Sequence, residues 1–521
     1  MMNIGLAYIK GSLPGFEDFG NLPTNIVKSN GLVNGIKAHK VLDGIIIPGG
    51  SIIEANSLGS DLEKELKKIA SEGKFIIGIC SGFQSLANQT DVGRKSPCPI
   101  IKKGIGLLDV DFSPLINNDR VEAYTKNDSF LTHKIKDNIR GFHSHTYGNI
   151  ENNEIPIIYS KLRRANYSDV DSSVLSGVRN DDGNVIGTMI HGILDNNPLI
   201  VENVFNFLDA TGETKKQIFE DNKKVKKVIK TELAINSGIA INYPVVINKG
   251  IVSTKKIANN DFSKSIHNSH NTCENNIPPT LMIGSTGSDS GKTFITTGIA
   301  GALTKKGFKV AILKVGPDVR DTIPALYLTK GKMEDFASIK IGHLGWMDIE
   351  ETLKRVKKLD YDFVVIEGVM SVFTGLLNEK IPYSGVEIAI SSNIPLLLVS
   401  GVNKGGIESA AIDLIAHSKI LKEMGVNING IILNKVYDMK IFNEIATFIE
   451  NQTGVEEILA IPKIKLDERK TTPEVEINYD DFSLAALDTI EKYLDLETII
   501  QMMPIPKFQG YLSFDEIKKY F

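Results

Sequence analysis

The amino-acid sequence predicts an α/β protein with two doubly wound, mainly parallel sheets that a flexible linker joins. Apolar strand-like runs alternate with amphipathic helical segments in both halves of the chain, a pattern typical of parallel sheets covered by helices. The 521 residues are enough for two or more domains with substantial cores. Between the halves lies a stretch rich in Asn and Ser and poor in apolar residues, which indicates a linker.

The composition excludes several classes of partner. The chain is 42% hydrophobic and 23% charged, as is usual for a soluble globular protein, and its net charge of −4 gives no electrostatic argument for nucleic acid. No apolar run is long enough to span a bilayer, and the first residues lack the layout of a signal peptide. Three cysteines without a C-x-x-C pair indicate neither a disulfide framework nor a zinc site. We therefore expect a cytoplasmic protein with no nucleic-acid or membrane partner.

The first predicted domain covers residues 1–210. Its strand candidates are NIGLAYI, VLDGIIIPGG and KFIIGIC, and the amphipathic helix SDLEKELKKIASEG is closed by Gly73. Residues 211–279 are predicted to form a helix with a solvated lysine face and then the Asn- and Ser-rich linker, which ends at Pro278-Pro279. A metal site of His267, His270 and Cys273 in this linker is disfavoured by the irregular spacing.

The second predicted domain covers residues 280–475, and a helical extension covers residues 476–521. Five apolar runs are the strand candidates of this domain. They begin with LMI at Leu281 and continue at residues 309–315, 362–368, 395–401 and 430–436. Apolar strands of this kind belong to a parallel sheet that is buried on both faces.

The loop GSTGSDSGKT, Gly284 to Thr293, joins the first of these strands to a helical segment. A strand, a glycine-rich loop, Lys-Thr and a helix form a P-loop, in which backbone N–H groups and the helix N-terminus bind phosphates. Lys292 would reach the β- and γ-phosphates, and the Thr293 hydroxyl would bind Mg²⁺. A turn that binds nothing is disfavoured, because a lysine at a helix N-terminus is electrostatically poor without an anion. The predicted ATP-binding residues of the loop are Gly287, Ser290, Gly291, Lys292 and Thr293.

Three further segments place polar residues at the ends of strands. These residues are Lys314, Asp318 and Asp321 in KVGPDVRDTIP, Glu367 in VVIEGVMSVFTG, and Asn434 in GIILNKV. A carboxylate such as Glu367 at a strand end could contact Mg²⁺ directly or through water. The side-chain amide of Asn434 could contact the nucleotide base. Acidic residues at strand ends are often only caps, so each assignment keeps a structural alternative.

Cys80 follows a buried strand in GICSGFQSL, the G-x-C-x-G form of a nucleophile elbow. The N-terminus of the next helix favours the reactive thiolate. The backbone N–H of Ser81 and a peptide of the turn that ends at Gly50 are placed to form an oxyanion hole. His191, in GTMIHGILDN, is the candidate general base. The alternative is a buried, inert cysteine.

The first domain resembles the class I glutamine amidotransferase domain of the cobyric acid synthase type. The matching segments are the cysteine motif, the histidine segment, the opening IKGSLPGFEDFGNL and the stretch GFHSHTYG, with His143 where the family carries Glu. The resemblance implies that Cys80 attacks glutamine to form a thioester and that His191 protonates the departing ammonia. Ile193 stands where typical class I domains carry Glu, so the group that orients His191 is unidentified. Asp195 is a weak candidate, and His145 could line the site.

The second domain resembles the ATPase domain of cobyrinic acid a,c-diamide synthase, within the dethiobiotin-synthetase-like group. The family patterns G-T-x-S-x-x-G-K-T, K-V-G-P-D-Y-I-D-P and E-G-V-M-G-L-x-D-G correspond to the three motifs above, with Val319-Arg320 in place of Tyr-Ile. The resemblance implies metal binding by Thr293, Asp318 and Glu367, and acceptor binding by Lys314 and Asp321. Both families place the ATPase first, whereas this chain places it second.

Together the two resemblances imply a glutamine-dependent, ATP-consuming amidase that uses ATP and Mg²⁺. Its substrates would be glutamine, ATP and a side-chain carboxylate of a corrinoid or related tetrapyrrole, which is activated as an acyl phosphate. Two alternatives stay open: the same chemistry on a different carboxylate, and a regulatory P-loop ATPase with a degenerate amidotransferase domain. The sequence also leaves open which carboxylates react, and whether ammonia passes within one chain or across a homodimer.

Overall fold

The computed structural model describes residues 2–93, 96–136, 138–161, 173–239, 277–316, 318–334, 336–339, 346–377, 384–403, 405–464, 479–508 and 514–520. The Asn- and Ser-rich linker, with His267, His270 and Cys273, lies outside these residues. Among the described residues, none of the helices combines the length and the apolar character that crossing a membrane requires.

The first half of the chain is a mixed α/β unit. Its strands are β1 (Ile4–Ala7), β2 (Asn25–Val27), β3 (Leu32–Val33), β4 (Ile36–Lys37), β5 (Gly44–Ile47), β6 (Phe75–Ile79), β7 (Gln89–Asp91), β8 (Ile101–Lys103), β9 (Val110–Ser113), β10 (Asn117–Thr125), β11 (Ile139–His145), β12 (Asn149–Asn152), β13 (Ile155–Lys161), β14 (Ser173–Arg179) and β15 (Val185–Thr188). Its helices are α1 (Ala38–Val41), α2 (Ile52–Ala55), α3 (Ser60–Ser71), α4 (Ser81–Leu86), α5 (Pro198–Phe207) and α6 (Gly212–Ser237), with a 3₁₀ turn at Phe19–Asn21.

Nine of these strands form one sheet, in the order β11-β10-β13-β14-β15-β6-β5-β1-β2. The strands from β15 to β2 pair in parallel, and those from β15 to β11 pair antiparallel. The predicted strands are β1, β5 and β6, and the predicted amphipathic helix is α3. Ile46 and Ile77 are fully buried, because helices cover both faces of the parallel part.

The lysine-rich segment forms the long helix α6, as predicted, but it is not solvated all round. Ile218, Val225 and Ile229 are buried in the core of the first half, while lysines on the other faces remain exposed. Leu233, nearer the end of the helix, packs against the cores of both halves. The helix therefore belongs to the folded body and leads from one half to the other.

The second half is built on a seven-stranded, fully parallel sheet. Its strands are β16 (Thr280–Ser285), β17 (Val310–Val315), β18 (Ser338–Ile339), β19 (Phe363–Glu367), β20 (Leu396–Gly401), β21 (Ile428–Val436) and β22 (Ile458–Pro462). Its helices are α7 (Lys292–Lys305), α8 (Ile323–Thr329), α9 (Trp346–Lys358), α10 (Gly385–Ser392), α11 (Gly406–Glu423), α12 (Met439–Thr453), α13 (Tyr479–Tyr493), α14 (Leu496–Gln501) and α15 (Phe514–Ile517), with 3₁₀ turns at Val319–Thr322 and Lys518–Tyr520.

The order of this sheet is β18-β17-β19-β16-β20-β21-β22, and each neighbouring pair is parallel. The five predicted strands are confirmed, and the strands at the two edges, β18 and β22, are additional. Within the predicted helical extension, helices α13 and α14 contribute Leu487, Ile490 and Ile499 to the core. β16, which precedes the P-loop, lies in the middle of the sheet, where polar groups at the strand ends converge.

The two halves meet at the carboxyl edge of the second sheet. Leu13, Phe16 and Phe142 of the first half form one apolar cluster with five residues of the second, namely Val319, Ile323, Leu326, Met333 and Ala337. The Met333 N–H donates to the Phe16 carbonyl over 2.8 Å. An ion pair at 2.7 Å joins Lys332 to Asp18. The segment that follows β17 is thus packed directly against the first half.

Candidate active site

Cys80 occupies the sharp turn between β6 and α4. Its φ of 51° and ψ of −112° lie outside the conformations that most residues with a side chain adopt. A Cβ on Gly82 would lie 2.2 Å from the Ile47 carbonyl oxygen, and one on Gly78 would lie 2.8 Å from the Gly82 carbonyl oxygen. Both glycines are therefore required for the close approach of strand and helix. This is the strained turn of a nucleophile elbow.

His191 is oriented by Glu17. The His191 Nδ1 lies 2.7 Å from the Glu17 Oε1, and the Gly192 N–H donates to the other carboxylate oxygen over 2.6 Å. Both side chains are buried. Asp195, the weak candidate for this position, instead accepts the N–H groups of Asp18 and Gly20, each over 2.8 Å. It therefore holds the loop that carries Glu17.

The charges around His191 favour its protonated form. Burial alone would lower the pKa of His191, but the Cys80 sulfur and the Glu17 carboxylate raise it to about 10. Burial, reinforced by Glu17, raises the pKa of Asp195 to about 6. An imidazolium next to a sulfur stabilises the thiolate, which is the nucleophilic form of cysteine.

The turn at Gly50 lies beside these groups. A Cβ on Gly49 would lie 2.3 Å from the His191 Cε1, so the turn packs directly against the imidazole, and Gly50 lines the same cleft as Cys80. The Ser81 hydroxyl accepts the Ile53 N–H over 3.1 Å, which ties α4 to α2. The oxyanion-hole role of Gly50 and Ser81 stays a prediction.

A small cleft with a volume of about 40 Å³ opens at Cys80. It is lined by Gly50, Glu54, Cys80, Gln84, Ser144, His145, Thr146, Tyr147 and Arg320. Arg320 comes from the second half of the chain. The cleft is therefore built by both halves, which the sequence did not predict.

The two histidines of the GFHSHTYG segment are neutral. Burial lowers the pKa of His145 to about 3 and lowers that of His143 well below its usual value. The His143 Nδ1 lies 2.7 Å from the Asn117 Nδ2, and the imidazole is buried. His145 donates from Nδ1 to the Leu115 carbonyl over 3.1 Å, and its buried Nε2 has no hydrogen-bond partner among the described residues. The proposal that His145 lines the site agrees with its position.

The P-loop begins at the end of β16, and hydrogen bonds from its own serine side chains stabilise its turn. The hydroxyls of Ser285 and Ser290 donate to the Gly287 carbonyl over 2.9 and 2.6 Å. Gly291 has a φ of +86°, and a Cβ there would lie 2.0 Å from the Asn434 Nδ2, so only glycine fits. Lys292 is buried and donates to the Ser285 hydroxyl and the Met370 carbonyl over 2.8 and 2.7 Å.

Next to the P-loop lies a buried cluster of charged and polar side chains. Thr293 donates to the Glu367 Oε1 over 2.8 Å. The Lys314 Nζ contacts the same Glu367 oxygen over 2.8 Å and an Asp321 carboxylate oxygen over 2.6 Å. Lys314 therefore links the two acidic side chains. Burial would lower the pKa of Lys314, but Asp321 and Glu367 raise it above its usual value. Burial, with Asp321 nearby, raises the pKa of Glu367 against the opposing effect of Lys314.

This cluster fits Mg²⁺ when a nucleotide supplies the remaining oxygens. The Glu367 Oε2 is buried without a hydrogen-bond partner among the described residues, so an oxygen ligand is present and unused. The same residues include no group of three or more His, Cys, Asp or Glu that could hold a metal ion. Mg²⁺ is commonly bound by one or two protein oxygens plus phosphates and water, and Thr293 and Glu367 would supply the protein oxygens.

Asp318 and Asn434 have contacts that differ from their predicted roles. Asp318 pairs with Arg320, over 3.2 Å to Nε and 3.3 Å to Nη2, so its role as a metal ligand stays a prediction. Asn434 donates to the Ser290 carbonyl over 2.9 Å, and its own Oδ1 accepts the Lys435 N–H. These bonds support the P-loop, and contact of Asn434 with a base stays a prediction.

Comparison with known families finds a match for each half of the chain. Residues 15–199 match the family model described as the CobB/CobQ-like glutamine amidotransferase domain. Residues 281–474 match the model described as the CobQ/CobB/MinD/ParA nucleotide binding domain. The chain joins these two domains, with the amidotransferase first. Cys80, His191 and Glu17 lie in the amidotransferase domain, and the P-loop cluster with Arg320 lies in the nucleotide-binding domain.

Individual relatives cover only part of the chain. A cobyrinate a,c-diamide synthase from Dehalococcoides mccartyi is 30% identical over 241 residues, which are 44% of this chain and 50% of that protein. A cobyric acid synthase from Thermoanaerobacter sp. is 33% identical over 171 residues, 31% of this chain and 32% of that protein. The MinD cell division protein of Aquifex aeolicus matches with 18% identity and a TM-score of 0.28, over 43% of this chain and 94% of its own. The chain spans about half the length, or less, of the curated relatives it matches.

Proposed function

We propose that this chain is a glutamine-dependent ligase that converts a carboxylate to an amide at the expense of ATP. The observation that carries the proposal is the shared cleft, in which Cys80 of the amidotransferase domain and Arg320 of the nucleotide-binding domain line one space. Arg320 is next to Asp321, which Lys314 links to the P-loop cluster. Ammonia released at the thiol would thus appear beside the segment assigned to the acceptor.

The first half-reaction is the release of ammonia from glutamine. The Cys80 sulfur attacks the carboxamide carbon, the carbon–nitrogen bond breaks, and His191 gives its proton to the leaving nitrogen. Water, with His191 now acting as base, then hydrolyses the thioester to glutamate. Glu17 keeps the imidazole in the orientation that both steps need, and it favours the imidazolium that donates the proton in the first step. Gly50 and Ser81 are proposed to stabilise the oxyanion.

The second half-reaction makes the carboxylate reactive. A carboxylate is a poor electrophile, and transfer of the γ-phosphate to it gives an acyl phosphate that ammonia attacks with release of phosphate. Lys292 would hold the transferring phosphoryl group, and Mg²⁺ bound through Thr293 and Glu367 would offset its negative charge. Lys314 and Asp321 are proposed to position the acceptor. Relatives named cobyrinate a,c-diamide synthase and cobyric acid synthase support a corrinoid or related tetrapyrrole as the acceptor.

A direct test is incubation of the full chain with glutamine, MgATP and either cobyrinic acid or a metal-sirohydrochlorin. We expect the mass change of replacing a carboxylate hydroxyl by an amino group, together with release of phosphate. Hydroxylamine in place of glutamine should give a hydroxamate, because it captures the acyl phosphate without the Cys80 chemistry. Ammonia release without a product from either acceptor would reject the tetrapyrrole. Absence of ammonia release would reject the amidotransferase half.

The charge of Glu17 predicts a pH effect. The Glu17 carboxylate favours the imidazolium form of His191. Glu17→Gln should therefore lower the pKa of His191, so that the imidazolium loses its proton at a lower pH. We expect kcat/KM for ammonia release to fall about 10²-fold, and the alkaline limb of its pH profile to move to lower pH. Glu63→Gln, which removes an exposed carboxylate paired with Lys67, should leave the profile in place. An unchanged alkaline limb in Glu17→Gln would contradict the assignment.

A further inference from the structure

The cleft at Cys80 must bind more of glutamine than its carboxamide. Glutamine also carries an α-carboxylate and an α-ammonium group, and burying either charge without a partner is costly. Among the described residues that line the cleft, Arg320 is the cation and Glu54 is the carboxylate. These two side chains have the charges that complement the two ends of an amino acid.

We propose that Arg320, supplied by the nucleotide-binding domain, binds the α-carboxylate of glutamine in the cleft of the amidotransferase domain. The inference rests on the proposed release of ammonia from glutamine at Cys80. It makes Arg320 a specificity-determining residue, and it makes the glutamine site incomplete until the two domains are docked.

The geometry of Arg320 supports this role. The Nη1 atom lies 3.3 Å from the hydroxyl of Thr146, which also lines the cleft, so this side of the guanidinium faces the amidotransferase domain. Asp318 contacts the Nε and Nη2 atoms and fixes the plane of the group. The side chain is 13% exposed, which limits screening by water. A guanidinium whose position and plane are already fixed suits recognition of a planar carboxylate.

The other end of the amino acid has acceptors in the same cleft. The neutral His145 presents Nε2 as an acceptor, since Nδ1 carries the proton given to the Leu115 carbonyl. Glu54 adds a carboxylate. Together they suit the α-ammonium group. Glutamine would then be held with its carboxylate towards Arg320, its ammonium towards Glu54 and His145, and its carboxamide at the Cys80 sulfur.

Two glutamine analogues, each without one of the α-substituents, can distinguish binding of the α-carboxylate by Arg320 from a merely structural role. γ-Aminobutyramide is glutamine without the α-carboxylate, and glutaramate is glutamine without the α-amino group. We expect Arg320→Ala to lower kcat/KM for ammonia release from glutamine and glutaramate about 10- to 100-fold, mainly through KM. The variant should release ammonia from γ-aminobutyramide as the wild type does. Arg320→Lys should recover part of the loss with glutamine.

The control variant is Lys332→Ala, which removes another cation of the same domain interface, paired with Asp18. It should affect the three substrates alike, because any effect acts through domain docking. Equal losses for all three in Arg320→Ala, or no loss with glutamine, would overturn the inference. Wild-type protein that releases no ammonia from glutamine would instead overturn the proposed function, so the two failures are distinguishable.

Discussion

Cys80→Ala is expected to abolish ammonia release from glutamine, with a loss of about 10⁴-fold or more. The reason is that the thioester forms on the Cys80 sulfur, and an alanine side chain has no nucleophilic atom to replace it. The same variant should still make amide when ammonium salt replaces glutamine, because Lys292 and the P-loop cluster are untouched. Ammonia release from glutamine and amide formation from ammonium, measured on one preparation, give the comparison.

The matched control for this prediction is Cys98→Ala. Cys98 is free and exposed, whereas Cys80 is free and buried in the elbow. A diazoketone analogue of glutamine should label Cys80 and not Cys98, and Cys98→Ala should keep both activities. If Cys80→Ala retained ammonia release, or if both activities failed together while the protein stayed folded, the assignment of separate sites would be wrong.

The sequence was sufficient for the central parallel strands of both sheets. Strands such as β6 and β19 are short apolar runs with a glycine close after them, and this local pattern is strong. The antiparallel strands β10 to β14 and the edge strands β18 and β22 were not predicted. β18 has two residues, and β10 carries the polar run NNDR, so neither shows a clear period. Their pairing is decided by neighbours distant in sequence.

The site residues also fall into two groups, those that a local motif predicts and those that only tertiary contacts bring to the site. Cys80, His191 and Lys292 lie in local motifs whose spacing indicates their chemistry. Glu17 is 174 residues from His191, so no spacing could link them, although its segment, the opening IKGSLPGFEDFGNL, had been recognised as family-like. Arg320 enters the Cys80 cleft only because the domains dock, and docking depends on apolar surfaces such as Phe16 and Met333. The motifs were recognised from the sequence, whereas Glu17 and Arg320 were found only from the folded structure.

Lys292→Ala is expected to have the second large effect. Lys292 is buried beside Lys314, and burial together with that second cation lowers its pKa, so the site is ready for the negative charge of a phosphate. Removing the ammonium group should lower ATP-dependent amide formation about 10²- to 10³-fold, whether glutamine or ammonium salt supplies the nitrogen. Hydroxamate formation from hydroxylamine should fall by the same factor, since it depends on the same phosphoryl transfer.

Lys305→Ala provides the control from the same helix, because Lys305 lies at the exposed end of α7 and pairs with Glu491 at the surface. It should keep hydroxamate formation, whereas Lys292→Ala should keep ammonia release from glutamine while losing the hydroxamate. That pattern is expected if the thiol site only releases ammonia from glutamine and the phosphate site only transfers the phosphoryl group. Loss of ammonia release in Lys292→Ala to the same extent as amide formation would show that the P-loop acts on the Cys80 site itself, and the proposed division between the domains would then be wrong.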